Sequence, residues 1–188
     1  MTRDPFEYAA GVRVGAGPYV VHIHPGHLST FEHLAKEALL VDAEDLRESF
    51  GRACSVTVSK RNTTLLVATF RFELSGGLGP ALALVPDANT LFLGAGEEIF
   101  CYDLATPKRL WRDKADTGLW SWEVVDETVL MSAELEFAAW HYSGYKLWAM
   151  FVEPPWSYLI AGSQVSLDVM GVISRFDLRH GPSSTNSP

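Results

Sequence analysis

Cysteine is scarce in this chain: Cys54 and Cys101 are the only two among 188 residues, which excludes the disulfide framework that staples small secreted domains. Positive charge is also in short supply. Fifteen Lys and Arg stand against 23 Asp and Glu, a formal net charge of −8, and this balance argues against general affinity for nucleic acid or an anionic membrane. Long apolar runs are missing. No stretch approaches the roughly 18 uninterrupted apolar residues that a spanning helix needs, and the opening Met1-Thr2-Arg3-Asp4-Pro5-Phe6-Glu7 has no apolar signal core. The expectation is a soluble cytoplasmic protein with both thiols reduced, long enough to bury a core without a structural metal.

Familiar catalytic signatures are missing as well. No serine sits in a Gly-x-Ser-x-Gly elbow. Gly94-Ala95-Gly96 and Gly15-Ala16-Gly17 lack the further glycine, the Lys-Ser/Thr and the following helix of a phosphate-binding loop, so they read as tight turns. Neither cysteine has a charged or histidine neighbour in sequence that would activate it. Nothing calls for a cofactor.

What the chain does have is aromatic mass: six Trp, ten Phe and six Tyr, suited to filling broad sheet faces. Tyr19 to His24 is a short β-prone run stopped by Pro25-Gly26. Ser29 and Glu32 form a capping box, and Phe31, Leu34, Ala35, Ala38 and Leu39 fall on one helical face. Asp42 and Gly51 bracket a second expected helix, with Ala43, Leu46 and Phe50 inward. From Ser55 onward β-branched and aromatic residues dominate.

The most informative feature is an echo. Trp120-Ser121-Trp122 returns as Trp156-Ser157-Tyr158 thirty-six residues later, and the same offset pairs Val129 with Val165, Met131 with Leu167, and Trp140 with Phe176. A fainter upstream copy, at thirty-eight, aligns Leu93 with Met131, Ile99 with Phe137 and Tyr102 with Trp140. At thirty-seven, Lys108-Arg109-Leu110-Trp111 answers to Tyr145-Lys146-Leu147-Trp148. The middle copy divides into Trp120 to Val125, Thr128 to Ala133, Leu135 to His141 and Lys146 to Val152. Four short strands in about 37 residues are the dimensions of a propeller blade.

These residues resemble a known family. Leu91-Phe92-Leu93-Gly94, then Tyr102-Asp103-Leu104, then Lys108-Arg109-Leu110-Trp111 look like the blade repeat of PQQ-like (quinoprotein-type) β-propellers, in which a hydrophobic-x-hydrophobic-Gly strand leads to Tyr/Ala-x-Asp and ends in Lys-x-Leu-Trp. The resemblance covers about residues 82 to 179 and departs from the pattern at Thr106-Pro107, where the family has Thr-Gly. It implies local architecture and no quinone site, because such blades host unrelated functions. With about two and a half units against the four a closed propeller requires, the expected fold is mainly β (α+β). Antiparallel meanders form an incomplete propeller or a two-layer sheet, covered by one or two N-terminal helices. The expected division is a single domain over residues 1–179, with a strand and two helices in 1–60, the repeated meander in 61–179, and a disordered tail over 180–188.

Three functions follow as expectations. The first is a non-enzymatic interaction module that neutralises a basic protein partner. Trp120, Trp122 and Trp156, which adjoin turns, would be its anchors, and Glu98, Glu134 and Glu136 an acidic rim. The second is a metal-dependent, hydrolase-like enzyme, because His22, His24 and His27 offer three imidazoles with room for an open position. The third is a structural subunit that pairs with another copy through an open sheet edge.

Overall fold

The computed structural model describes residues 11–26, 31–43, 51–73 and 79–183. Among the described residues there are sixteen strands, one α-helix and one turn of 3-10 helix (Pro86–Ala88), and the strands form four sheets that follow one another along the chain. The first sheet holds β1 (Val12–Ala16), β2 (Tyr19–Pro25), β3 (Leu40–Ala43), β4 (Arg52–Lys60) and β5 (Thr63–Phe72) in the order β1-β2-β4-β5-β3. All its pairings are antiparallel except that of β3 with β5. Helix α1 (Phe31–Glu37) lies in the crossover and packs on β5. Its Phe31, Leu34 and Ala35 are the half-buried positions, as the helical spacing predicts.

The other three sheets are plain meanders. The second contains β6 (Ala81–Val85), β7 (Thr90–Ala95), β8 (Glu98–Asp103) and β9 (Lys108–Lys114). The third contains β10 (Leu119–Val125), β11 (Thr128–Ala133), β12 (Glu136–His141) and β13 (Lys146–Phe151). The fourth has three strands, β14 (Trp156–Ala161), β15 (Gln164–Val169) and β16 (Val172–Asp177). The repeat is therefore a structural period, and the strands read from the middle copy match β10 to β13 within two residues.

Alternation along each strand sends successive residues to opposite faces, and this places three cores in three seams. Leu91, Leu93, Phe100 and Tyr102 meet Val21, Val56, Leu66 and Phe70 of the first sheet. Phe92, Ile99 and Cys101 point the other way, onto Leu119, Val129, Met131 and Trp140. Leu130, Phe137 and Ala139 then face Val165, Leu167 and Phe176. The second and third sheets are thus each packed on the sheet before and the sheet after.

The repeat motifs have identifiable jobs. The Leu-Trp of the outermost strand reaches across to the next unit. The Trp111 indole N–H donates to the Gly144 carbonyl at 2.5 Å, and that of Trp148 donates to Leu178 at 2.8 Å. Gly144 has φ +102°, and a Cβ there would stand 2.7 Å from Leu110 Cδ1 and 3.1 Å from Cys101 Sγ. Its counterpart thirty-seven residues on, Gly181, has φ +70° and lies against the side chain of Trp148. The aspartate that ends β8 and β16 closes the turn that follows. Asp103 accepts the backbone N–H groups of Ala105 and Thr106, and Asp177 those of Arg179 and His180, as short polar side chains do in Asx turns.

Three expectations need correction or relocation. Asp42 does not cap a helix: it lies in β3, because its carboxylate is claimed by Arg109 at 2.8 Å and the Tyr102 hydroxyl at 3.0 Å from the second sheet. The remainder of that expected helix, with Leu46 and Phe50, lies outside the described residues, as does Ser29. Residues 180–183 of the expected tail are ordered against the fourth sheet, with Gly181 buried and bridged to Asp177, and the rest of it lies outside the described residues. The first sheet runs to Phe72, so the meander repeats start at Ala81.

Candidate binding groove

The expected histidine cluster is brought together only in part. His22 and His24 lie on one face of β2 with ring centroids 5.7 Å apart, opposite Thr57 and Ser55 of β4. Burial, followed by Arg13 and the neighbouring His24, lowers the His22 pKa, so the ring is neutral at pH 7. His27 lies outside the described residues. Among the described residues no three His, Cys, Asp or Glu side chains form a group that could hold a metal ion.

The three tryptophans named as anchors sit within the packing. Trp120 stacks on Trp156 at 5.5 Å, which is contact between repeat equivalents. The Trp156 indole N–H donates to the Glu134 carbonyl at 3.2 Å. Trp122 packs among Phe92 and Trp140, and its buried indole nitrogen has no hydrogen-bond partner. All three are half-buried.

The carboxylates lead to a cavity. Glu136 stands directly opposite Phe151 in the ladder between β12 and β13, and Ala138 opposite Ala149. Opposed residues of an antiparallel pair share a face. The two alanines leave that face hollow where it emerges from the seam with the second sheet. An open groove of about 510 Å³ results, walled by Leu135, Glu136, Ala149 and Phe151 on one side and by Glu97 and the β9–β10 link on the other. That link, Ala115 to Gly118, is fastened on both flanks. Ala115 N–H donates to the Glu97 carbonyl at 2.8 Å, Leu135 N–H to the Asp116 carbonyl at 3.3 Å, and Asp116 N–H to Glu136 Oε2 at 3.1 Å. Thr117, a β-branched residue, holds φ +62°, a costly conformation for that side chain. Its Oγ1 is buried with no hydrogen-bond partner.

The groove's charges divide into satisfied and unsatisfied. Glu98 is held by Arg112 at 2.8 Å and Lys114 at 3.7 Å, Glu97 by Lys114 at 3.7 Å, and Asp113 by Lys146 at 2.8 Å. Asp116 and Glu136 have no cation within ion-pair distance among the described residues. Burial raises the Glu136 pKa, with Asp113 and Asp116 adding to the rise, against the Asp116 N–H and Lys146. A carboxylate short of solvation and of a counter-ion is poised to take a cation. Sequence reading named Glu98 and Glu136 but missed Asp116, Thr117 and Phe151. The available signals were the Asp-Thr-Gly break between two strands and an aromatic at an outward position of β13.

Neither a protein-family model nor a curated protein matches this chain. Among solved structures it is similar to the β-propeller domain of the Trilobed protease from Pyrococcus furiosus, at 11% identity over 85% of this chain and 48% of that one, with a TM-score of 0.45. BamB from Moraxella catarrhalis matches at 13% identity over 89% and 60%, TM-score 0.42. The computationally designed Ika8 protein matches at 15% over 90% and 58%, TM-score 0.46. The chain spans less than two thirds of the length of each. No helix among the described residues is long and apolar enough to cross a membrane.

Proposed function

We propose that this chain is a non-enzymatic interaction module of the cytoplasm, a quinoprotein-type blade array used as a scaffold, whose acidic groove receives a basic protein partner. One observation carries the reading. Three carboxylates (Glu97, Asp116, Glu136) line the groove against one cation (Lys114), and Phe151, 64% exposed, supplies an apolar wall. Excess negative charge steers a cationic partner, and the exposed ring gives it something to bury against. The half-buried tryptophans serve as the rigid support behind that surface.

The test is fluorescence anisotropy with a labelled Gly/Ser 12-mer carrying four Lys and Arg, beside its Asp/Glu counterpart, across a salt titration. The basic peptide is expected to bind alone, and more weakly as salt rises. Equal behaviour of the two peptides, or a loss of binding that Asp116→Asn with Glu136→Gln does not produce, overturns the reading.

A second reading, pairing through a sheet edge, is favoured by the fourth sheet. Its third strand, β16, has Val172 and Ile173 exposed at 72% and 60%. A concentration-independent monomer in light scattering would remove it.

A further inference from the structure

The second and third sheets treat the same carboxylate differently. Glu98 and Glu136 are repeat equivalents, thirty-eight residues apart, each the first residue of the third strand of its sheet. In the second sheet Glu98 is opposite Lys114, and two residues along Phe100 is opposite Arg112. The Arg112 guanidinium lies over the Phe100 ring, 5.5 Å from its centroid, while its Nε donates to Glu98 Oε2 at 2.8 Å. Ring, guanidinium and carboxylate make one assembly. In the third sheet the ladder positions of Phe100 and Arg112 are occupied by Ala138 and Ala149, and that of Lys114 by Phe151. The carboxylate is retained, the arginine is gone, an aromatic has moved one place, and the groove lies where the missing side chains would be.

We propose that the groove takes a single arginine side chain from the partner, which supplies in trans the guanidinium that Arg112 supplies in cis to the preceding sheet. The inference rests on the groove being the partner-binding site and specifies what enters it. Phe151 offers a ring face, and a planar, weakly hydrated guanidinium stacks there as a compact, strongly hydrated ammonium does not. Glu136 and the Asp116 carboxylate are acceptors without a cation. The guanidinium's forked donors can engage both at once. Lys114, which lines the groove, is already held by Glu97 and Glu98. Asp113 and Lys146 face Glu136 as a closed pair. None of these supplies the absent charge.

The test compares two otherwise identical 12-mers, one carrying only Arg and the other only Lys, on the intact chain. The Arg peptide is expected to bind at least tenfold more tightly, and Glu136→Gln or Phe151→Ala to abolish that preference. Ala149→Arg restores the arginine at its ladder position. It is expected to fold, as judged by an unchanged circular dichroism spectrum and thermal midpoint, and to bind neither peptide at the groove. If Arg and Lys peptides bind equally, the arginine inference falls while the basic-partner reading stands; if neither binds, both fall. A folded Ala149→Arg protein that still prefers Arg by tenfold puts the site elsewhere and overturns the inference.

Discussion

The third and fourth sheets share one sequence period and differ on one face. Toward the fourth sheet, the third presents Leu130, Phe137 and Ala139, all fully buried. At the same repeat positions the fourth sheet presents Ser166, Ile173 and Arg175 to the outside, and the last two are exposed. The register between the second and third strands is the same in both. What changes is the side-chain chemistry at positions that a further layer would cover. The interior of the stack is thus set by apolar repetition, while at the equivalent sites of the fourth sheet two of the three positions are polar and Ile173 stays apolar and exposed.

The comparison can be broken most decisively by exchanging its members. Leu130→Ser places a hydroxyl and a cavity in the third seam and is expected to cost about 3 kcal/mol or more. Ser166→Leu on the open face is expected to stay within about 0.5 kcal/mol. Similar losses in urea denaturation of the two variants would show that the outward faces are not distinct. A smaller contrast sharpens the same point with glycine. Gly171→Ala meets nothing within 4 Å at φ +86° and is expected to lose about 1 kcal/mol from backbone conformation alone. Gly144→Ala adds the collision with Leu110 and is expected to lose about 2 kcal/mol or more. Next comes Trp148→Phe, which keeps edge contacts with Phe137 and Phe176 but leaves the Leu178 carbonyl without its donor. About 1 kcal/mol is expected, measured as a shift in denaturation midpoint.

The smallest effect is alkaline. Burial pushes the Cys54 and Cys101 thiols up to about 12 from the ordinary 9.0. Folding therefore favours the protonated thiols, and that contribution is complete below pH 9 and fades as pH rises from 9 toward 12. At pH 9 the loss should be below ~1 kcal/mol for both thiols together, and it should be absent from the difference between the protein and its Cys54→Ala/Cys101→Ala variant at pH 7. The two thiols lie in the first and second seams, so the slope reports on those seams alone.

How much of this was legible in the sequence depends on the range of the determining contact. The meander strands were readable because Asp103, Gly144 and the Leu-Trp pairs act within or between adjacent units at a fixed spacing. The nature of β3 was not. Asp42 has the local character of a helix cap, and only Tyr102 and Arg109, sixty and sixty-seven residues away, make it a strand residue at a seam. The groove was half readable for the same reason. Glu136 stood out as the repeat partner of Glu98, but the emptiness beside it depends on a register that sets Ala138 against Ala149 and Glu136 against Phe151.

The indole ties give the molecule a direction. Trp111 and Trp148 each donate to a carbonyl that lies later in the chain, so the second and third sheets each carry a donor whose acceptor belongs to the segment that follows. Each of these two sheets is therefore complete only once the segment that follows it has docked.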